Sequence, residues 1–158
     1  MTLSTVKTRL ESASGPDREI DAQIIVATQT REPVKDDLIY LSLPWPLEEC
    51  EAGTYWRCSR SGRSLHTAPE FTDSVDAALG LVERKLPEWS TQIYGGGFIR
   101  NWTAVLRSPD AKYEDRPGHG GIETVRVSCR DACGIQKTTA PLAILTALLS
   151  ALIAEEQT

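Results

Sequence analysis

The segment that most constrains the fold is the last apolar stretch, Pro141 to Ala154, which reads Pro-Leu-Ala-Ile-Leu-Thr-Ala-Leu-Leu-Ser-Ala-Leu-Ile-Ala and then breaks into Glu155-Glu156. At helical spacing Leu142, Ile144, Leu145, Leu148, Leu149, Leu152 and Ile153 cover about half the circumference. Ala143, Ala147 and Ala151 form a flank of small residues, and Thr146 and Ser150 mark the remaining side. Burying these large aliphatic side chains contributes roughly 10–20 kcal/mol before conformational entropy is subtracted. No other segment is as apolar, so the rest of the chain must supply a sheet or further helices to cover it. A membrane span needs ~20 apolar residues, and this run from Leu142 to Ala154 falls short of that and is interrupted by Thr146 and Ser150. Met1 to Leu10 has no apolar core of the kind a signal peptide carries. The expectation is a soluble chain with a buried terminal helix and no membrane partner.

The chain has 158 residues, 41% of them hydrophobic and 25% charged, which fits one folded domain over residues 1–158 with a proper core. Its net charge is −5, which argues against non-specific binding to duplex nucleic acid, since that needs a basic surface. Four cysteines without an export signal suggest free thiols in a reducing cytoplasm.

Local signals set out the other elements. Val6 to Ala13 reads as a short helix that stops at Ser14-Gly15-Pro16. A second helix follows to about Ala27, with Ser14 and Asp17 as its capping signal, Pro16 in its first turn, and Ile20, Ile24 and Ala27 on one face. Thr28 to Asp37 is a loop; Leu38 to Leu43 is a strand or an apolar loop. Thr54 to Ser59 is a strand, Arg60 to Arg63 a turn, and Ser64 to Glu70 irregular. A third helix, capped by Thr72 and Asp73, carries Val75, Ala78, Leu79, Val82 and Leu86 and ends at Pro87. Trp89, Thr91 and Ile93, then Trp102, Ala104 and Leu106, alternate across Gly95-Gly96-Gly97 as a β-hairpin. Ser108 to Gly121 is a long polar loop, and Glu123 to Cys129 is a third strand. Thr138 or Thr139 caps the last helix. This order predicts an α+β chain: an antiparallel sheet of three to four strands with helices on both faces, a three-layer α/β/α sandwich.

Three stretches resemble the small phage-encoded proteins described as the phage ABA sandwich domain. They are Leu10 to Asp21, Phe71 to Leu79 continuing through Leu86-Pro87-Glu88-Trp89 to Trp102-Thr103-Ala104, and Ala140 to Ile144 with its alanine-rich tail. The resemblance implies a layered α/β/α fold in a phage or prophage protein, with no established activity or catalytic residue. The chain departs from that pattern by a longer segment over about residues 28–53 and by a third strand that carries Cys129 and Cys133.

Candidate chemistry centres on arginine, glycine and aromatic residues. Tyr55, Trp56, Arg57, Arg60 and Arg63 lie on one strand and its turn, Phe98 and Arg100 follow the glycine run, and Arg116 and His119 sit in the Ser108–Gly121 segment. Guanidinium groups grip phosphates, aromatic faces stack bases, and glycine loops let backbone N–H groups approach an anion. Brought together, these residues would hold a small nucleotide. Cys50, Cys58, Cys129 and Cys133 lack the paired tight spacing of a structural zinc site, so no metal or cofactor is expected. No nucleophile elbow or phosphate-binding loop is present. Leu43 to Leu47, apolar and stiffened by proline, is either a docking patch or folded onto the core, and the alanine flank of the last helix allows close contact within the chain or across a homo-oligomer. The expectation is a non-enzymatic phage or prophage accessory protein in the bacterial cytoplasm that counters host defence by sequestering an anionic, nucleotide-like signal. The alternatives are a protein–protein inhibitor of a host defence protein, and a small hydrolase or virion component.

Overall fold

The computed structural model describes residues 2–29, 48–49, 53–59, 62–96, 99–109, 112–118, 121–128 and 131–157. In chain order the elements are α1 (Leu3–Ser12), α2 (Arg18–Thr28), β1 (Glu48–Glu49), β2 (Thr54–Ser59), β3 (Gly62–Thr67), α3 (Val75–Lys85), β4 (Ser90–Gly96), β5 (Ile99–Arg107), β6 (Lys112–Gly118), β7 (Gly121–Ser128), β8 (Asp131–Lys137) and α4 (Ala140–Glu156). All strand pairs are antiparallel, in three sheets ordered β1-β2-β3, β4-β5-β8 and β6-β7. The chain is therefore α+β, as its patterning predicts. The Leu38–Leu43 run lies outside the described residues.

The terminal helix is more deeply enclosed than its amphipathic pattern suggests. Every residue of α4 from Ala140 to Leu149, and Ala151 as well, is buried. The sheet β4-β5-β8 packs on one side of it, and α1 and α3 pack on others. Thr146 is correspondingly buried instead of marking a polar side. Its hydroxyl donates to the Leu142 carbonyl at 2.7 Å, so the burial leaves no unpaired polar group.

The faces of the main sheet follow from register. Ala104 pairs with Ile93 and Gly134, and Leu106 with Thr91 and Ala132. Ala104, Leu106 and Ala132 are buried, so this face meets α4. Val105 pairs with Gln92 and Cys133 on the other face, where Cys133 and Tyr94 are exposed. An antiparallel sheet with one covered and one solvated face shows this alternation. Among the described contacts the layers run sheet, α4, then α1 and α3 behind it. The α+β class and antiparallel sheet hold, while the described helical layers stack on one side of this sheet.

Three strands that no local pattern reveals complete the topology. β8, Asp-Ala-Cys-Gly-Ile-Gln-Lys, is the third strand of the main sheet and the neighbour of β5. Its Gly134 stands against α4: a Cβ there would lie 1.9 Å from the Ala143 carbonyl oxygen and 3.0 Å from the Ala147 nitrogen. The alanine flank thus makes its close contact within the chain. Between β5 and β8 the segment expected as a long polar loop forms β6, which pairs with β7 along its length, Arg116 opposite Glu123 and Pro117 opposite Ile122. The Glu123–Cys129 strand corresponds to β7, but it joins this separate ribbon and not the main sheet. The Ser64–Glu70 stretch likewise contributes β3, paired from Gly62 to Thr67 with β2.

Helix ends show which capping residue prevails. Asp17, not Ser14, caps α2: its Oδ1 accepts from the backbone N–H of Glu19 at 2.9 Å and of Ile20 at 3.1 Å. Ser74 caps α3, accepting from the Ala77 N–H at 3.2 Å, which frees Thr72 for another task. Within α3, Val75 is 37% exposed and Leu81 takes the buried place beside Ala78 and Val82. Asp17→Ala is expected to destabilise the protein by about 1 kcal/mol, checked by urea denaturation, because two orphan donors of the first turn lose their acceptor.

Candidate functional site

The basic and aromatic residues predicted as a binding site distribute over all three sheets. Tyr55 is 2% exposed in β2, which rests on α2, and its ring lies 6.0 Å from that of His66 at 32°. It is a core residue. The β2–β3 register sets Tyr55 opposite His66, Trp56 opposite Leu65, Arg57 opposite Ser64 and Cys58 opposite Arg63. Successive rungs of a pleated ribbon alternate in face. Arg57 therefore occupies a rung of the same parity as buried Tyr55, whereas Arg63 and Trp56 share the parity of Leu65, which is 51% exposed. Arg100 is the second residue of β5, in the main sheet, and Arg116 pairs with Glu123 in the β6–β7 ribbon. Arg60, Phe98 and His119 lie outside the described residues, as does the Leu43–Leu47 patch. The Gly95-Gly96-Gly97 run is partly strand: β4 continues to Gly96, with a register shift between Tyr94 and Gly96.

A second polar constellation surrounds the start of α2. Asp21 is fully buried and accepts from the Thr72 N–H at 2.8 Å and from Arg18 Nη1 at 2.7 Å. Thr72 Oγ1 accepts from the Asp17 N–H at 2.8 Å, and the other Arg18 amino group donates to the Ala68 carbonyl. Burial pushes the Asp21 carboxyl above its ordinary range, and the bonds from Thr72 and Arg18 pull against that shift. The residues just before α4 reach the same turn: Thr138 Oγ1 donates to the Ser14 carbonyl at 2.9 Å, and the buried Lys137 donates to the Glu11 carbonyl at 3.0 Å. The described donors of this knot already have acceptors inside the chain. It ties α2 to the β3–α3 connection and α1 to β8, and it acts as a structural fastening. Arg18 and Asp21 stand three apart on α2, a spacing that permits an ion pair. Nothing local announces their third partner, Thr72, 51 residues further on.

Beside this turn lies a polar cavity of about 350 Å³ bordered by Arg9, Ser14 and Asp17. Arg9 is committed to Glu19, with Nη1 and Nη2 at 3.2 and 3.0 Å from its two carboxylate oxygens. That contact holds the Glu19 carboxyl below its ordinary range. Among the described residues no three His, Cys, Asp or Glu side chains converge as a metal site, and no helix is long and apolar enough to cross a membrane. No protein family, curated protein or solved structure matches the chain.

Proposed function

We propose that this chain is a small binding protein without catalytic machinery, which holds an anionic, nucleotide-like molecule on the β2–β3 ribbon. In this reading it belongs to a phage or prophage and blunts host defence by sequestering such a signal in the cytoplasm of the bacterial host. The observation that carries the reading is the ribbon's register. Trp56 and Arg63 lie two rungs apart at the parity of exposed Leu65, in a chain whose net charge is −5. Basic groups concentrated against an acidic background attract an anion locally without making the whole surface stick to nucleic acid. The aromatic position supplies a stacking face and the arginines supply bidentate donors.

Calorimetric titration with mono- and cyclic dinucleotides tests the assignment. Arg63→Ala and Arg60→Ala are each expected to weaken binding by about tenfold, the loss of one charge-assisted bond, with an unchanged melting temperature. Variants that bind like the parent chain overturn the site; a parent chain that binds no nucleotide overturns the function. A protein–protein inhibitor is the second reading, and the 51% exposure of Leu65 on the same ribbon favours it. Native mass spectrometry of the protein from infected cells separates the two. A nucleotide-sized mass lost on denaturation supports the first, and a stoichiometric host protein with no small ligand supports the second.

A further inference from the structure

The β1-β2-β3 sheet has a narrow footing on the rest of the chain. Among the described elements its packing is against α2. Tyr55 is its one described side chain in the hydrophobic core, whereas α4 is buried along most of its length. The strands β2 and β3 close together at one end. Thr54 pairs with Thr67, and one step further the Ala68 N–H donates to the Gly53 carbonyl at 2.9 Å. This closed end rests on Arg18. One Arg18 amino group donates to the Ala68 carbonyl, and a Cβ at Gly53 would lie 3.1 Å from the Arg18 Cβ. Gly53 has φ +79°, so glycine is needed there for conformation as well as for the close approach. The other amino group of Arg18 is held by buried Asp21 at 2.7 Å, and Asp21 accepts from the Thr72 N–H at 2.8 Å. The polar path runs in series, from Thr72 to Asp21 to Arg18 to the end of the ribbon. Few buried apolar contacts mark the elements that open before the rest of a protein does.

We propose that the β1-β2-β3 sheet is a strap that opens from α2 as a unit while α1, α3, α4 and the main sheet stay folded, with Arg18 as its latch. Phe71 is fully buried and Thr72 is bonded to Asp21, so the hinge on the β3 side is Pro69-Glu70. Of the two Arg18 bonds only the one to Ala68 spans the opening; the bond to Asp21 lies within α2 and aims the guanidinium at the strap. Opening withdraws the Tyr55 ring from the core and bares the side of α2 beneath β2. The strap thus gates access to that part of the core.

Hydrogen exchange of the full chain, read by mass spectrometry on peptides from β2–β3 and from α4 across low urea concentrations, tests the latch. The β2–β3 amides are expected to exchange through one common opening that depends on urea less steeply than the opening that exposes α4, because it uncovers less surface. This comparison is made on the parent chain and requires no variant to fold. Arg18→Met keeps the stem beside Gly53 and removes the guanidinium. It is expected to speed β2–β3 exchange about tenfold, the loss of one charge-assisted bond across the opening. Gly53→Ala strains the same contact from the strap's side and is expected to act in the same direction with Arg18 intact. Arg9→Met is the control. It removes the exposed ion pair with Glu19 of α2 and is expected to leave β2–β3 exchange within about twofold of the parent chain. The proposal is overturned if β2–β3 and α4 share one urea dependence, which would mean a single global unfolding. It is equally overturned if Arg18→Met and Gly53→Ala both exchange like the parent chain, or if Arg9→Met speeds β2–β3 exchange as much as Arg18→Met does.

Discussion

Gly134→Ala is expected to destabilise the protein by about 3 kcal/mol or more, at the top of the usual range for overpacking a core. The added methyl would meet the Ala143 carbonyl carbon and oxygen at 2.8 and 1.9 Å and the Ala147 nitrogen at 3.0 Å. These are backbone atoms of α4, so no rotamer change relieves the clash. The helix must lift from β8, and α4 carries the largest share of the buried core. Gly80→Ala is the control of opposite sign. Gly80 lies inside α3 with nothing within 4 Å of an added Cβ, and Gly within a helix costs about 0.5–1 kcal/mol relative to Ala. One substitution lowers the urea midpoint steeply and the other raises it slightly. Equal midpoints for Gly134→Ala and the parent chain would mean that α4 does not rest on β8.

The second large effect is at Asp21. Asp21→Ala is expected to cost about 3 kcal/mol, since removing one member of a buried hydrogen-bonded ion pair strands its partners. The Thr72 N–H loses its acceptor in a buried setting, and Arg18 keeps only its bond to Ala68. Acid dependence follows from the direction of the carboxyl's shift. The folded-state pKa of Asp21 is raised above its ordinary value of 3.8, mainly by burial. The folded state therefore binds the proton more tightly than the unfolded chain, so the Asp21 contribution is largest below 3.8 and declines as pH rises through the raised value. Asp21→Asn does not titrate. The stability of the parent chain relative to this variant should be greater at pH 3.5 than at pH 7, measured by urea denaturation at both. Glu19 works in the opposite direction, because Arg9 holds its pKa down and that contribution fades on acidification. It is present in both chains and cancels in the difference. A gap that narrows in acid would refute the direction assigned to Asp21.

Of the site predicted from residue type, Tyr55 is legible only as an aromatic in a strand, and burial makes it part of the core. Side-chain chemistry is visible in a sequence, but parity on a ribbon depends on which partner strand pairs with it and in what register. The rungs that separate Arg57 from Arg63 come from β3, a strand with no strong apolar alternation of its own.

The sequence by itself determined the four helices, the β4–β5 hairpin and the α+β class. Those depend on periodicity and turn chemistry within a dozen residues, which act before any tertiary contact forms. Tertiary structure alone decided that α4 is enclosed on several sides, that β8 completes the main sheet, and that β6 and β7 form a ribbon of their own. It also decided that Asp21 is sealed beneath Thr72. Each of these outcomes rests on contacts between residues distant in the chain: a glycine that suits a strand only because a helix backbone passes against it, and a buried carboxylate that is tolerable only because a distant N–H answers it. Local preference carries no information about such partners, and burial energy, which selects them, exists only once the chain is packed.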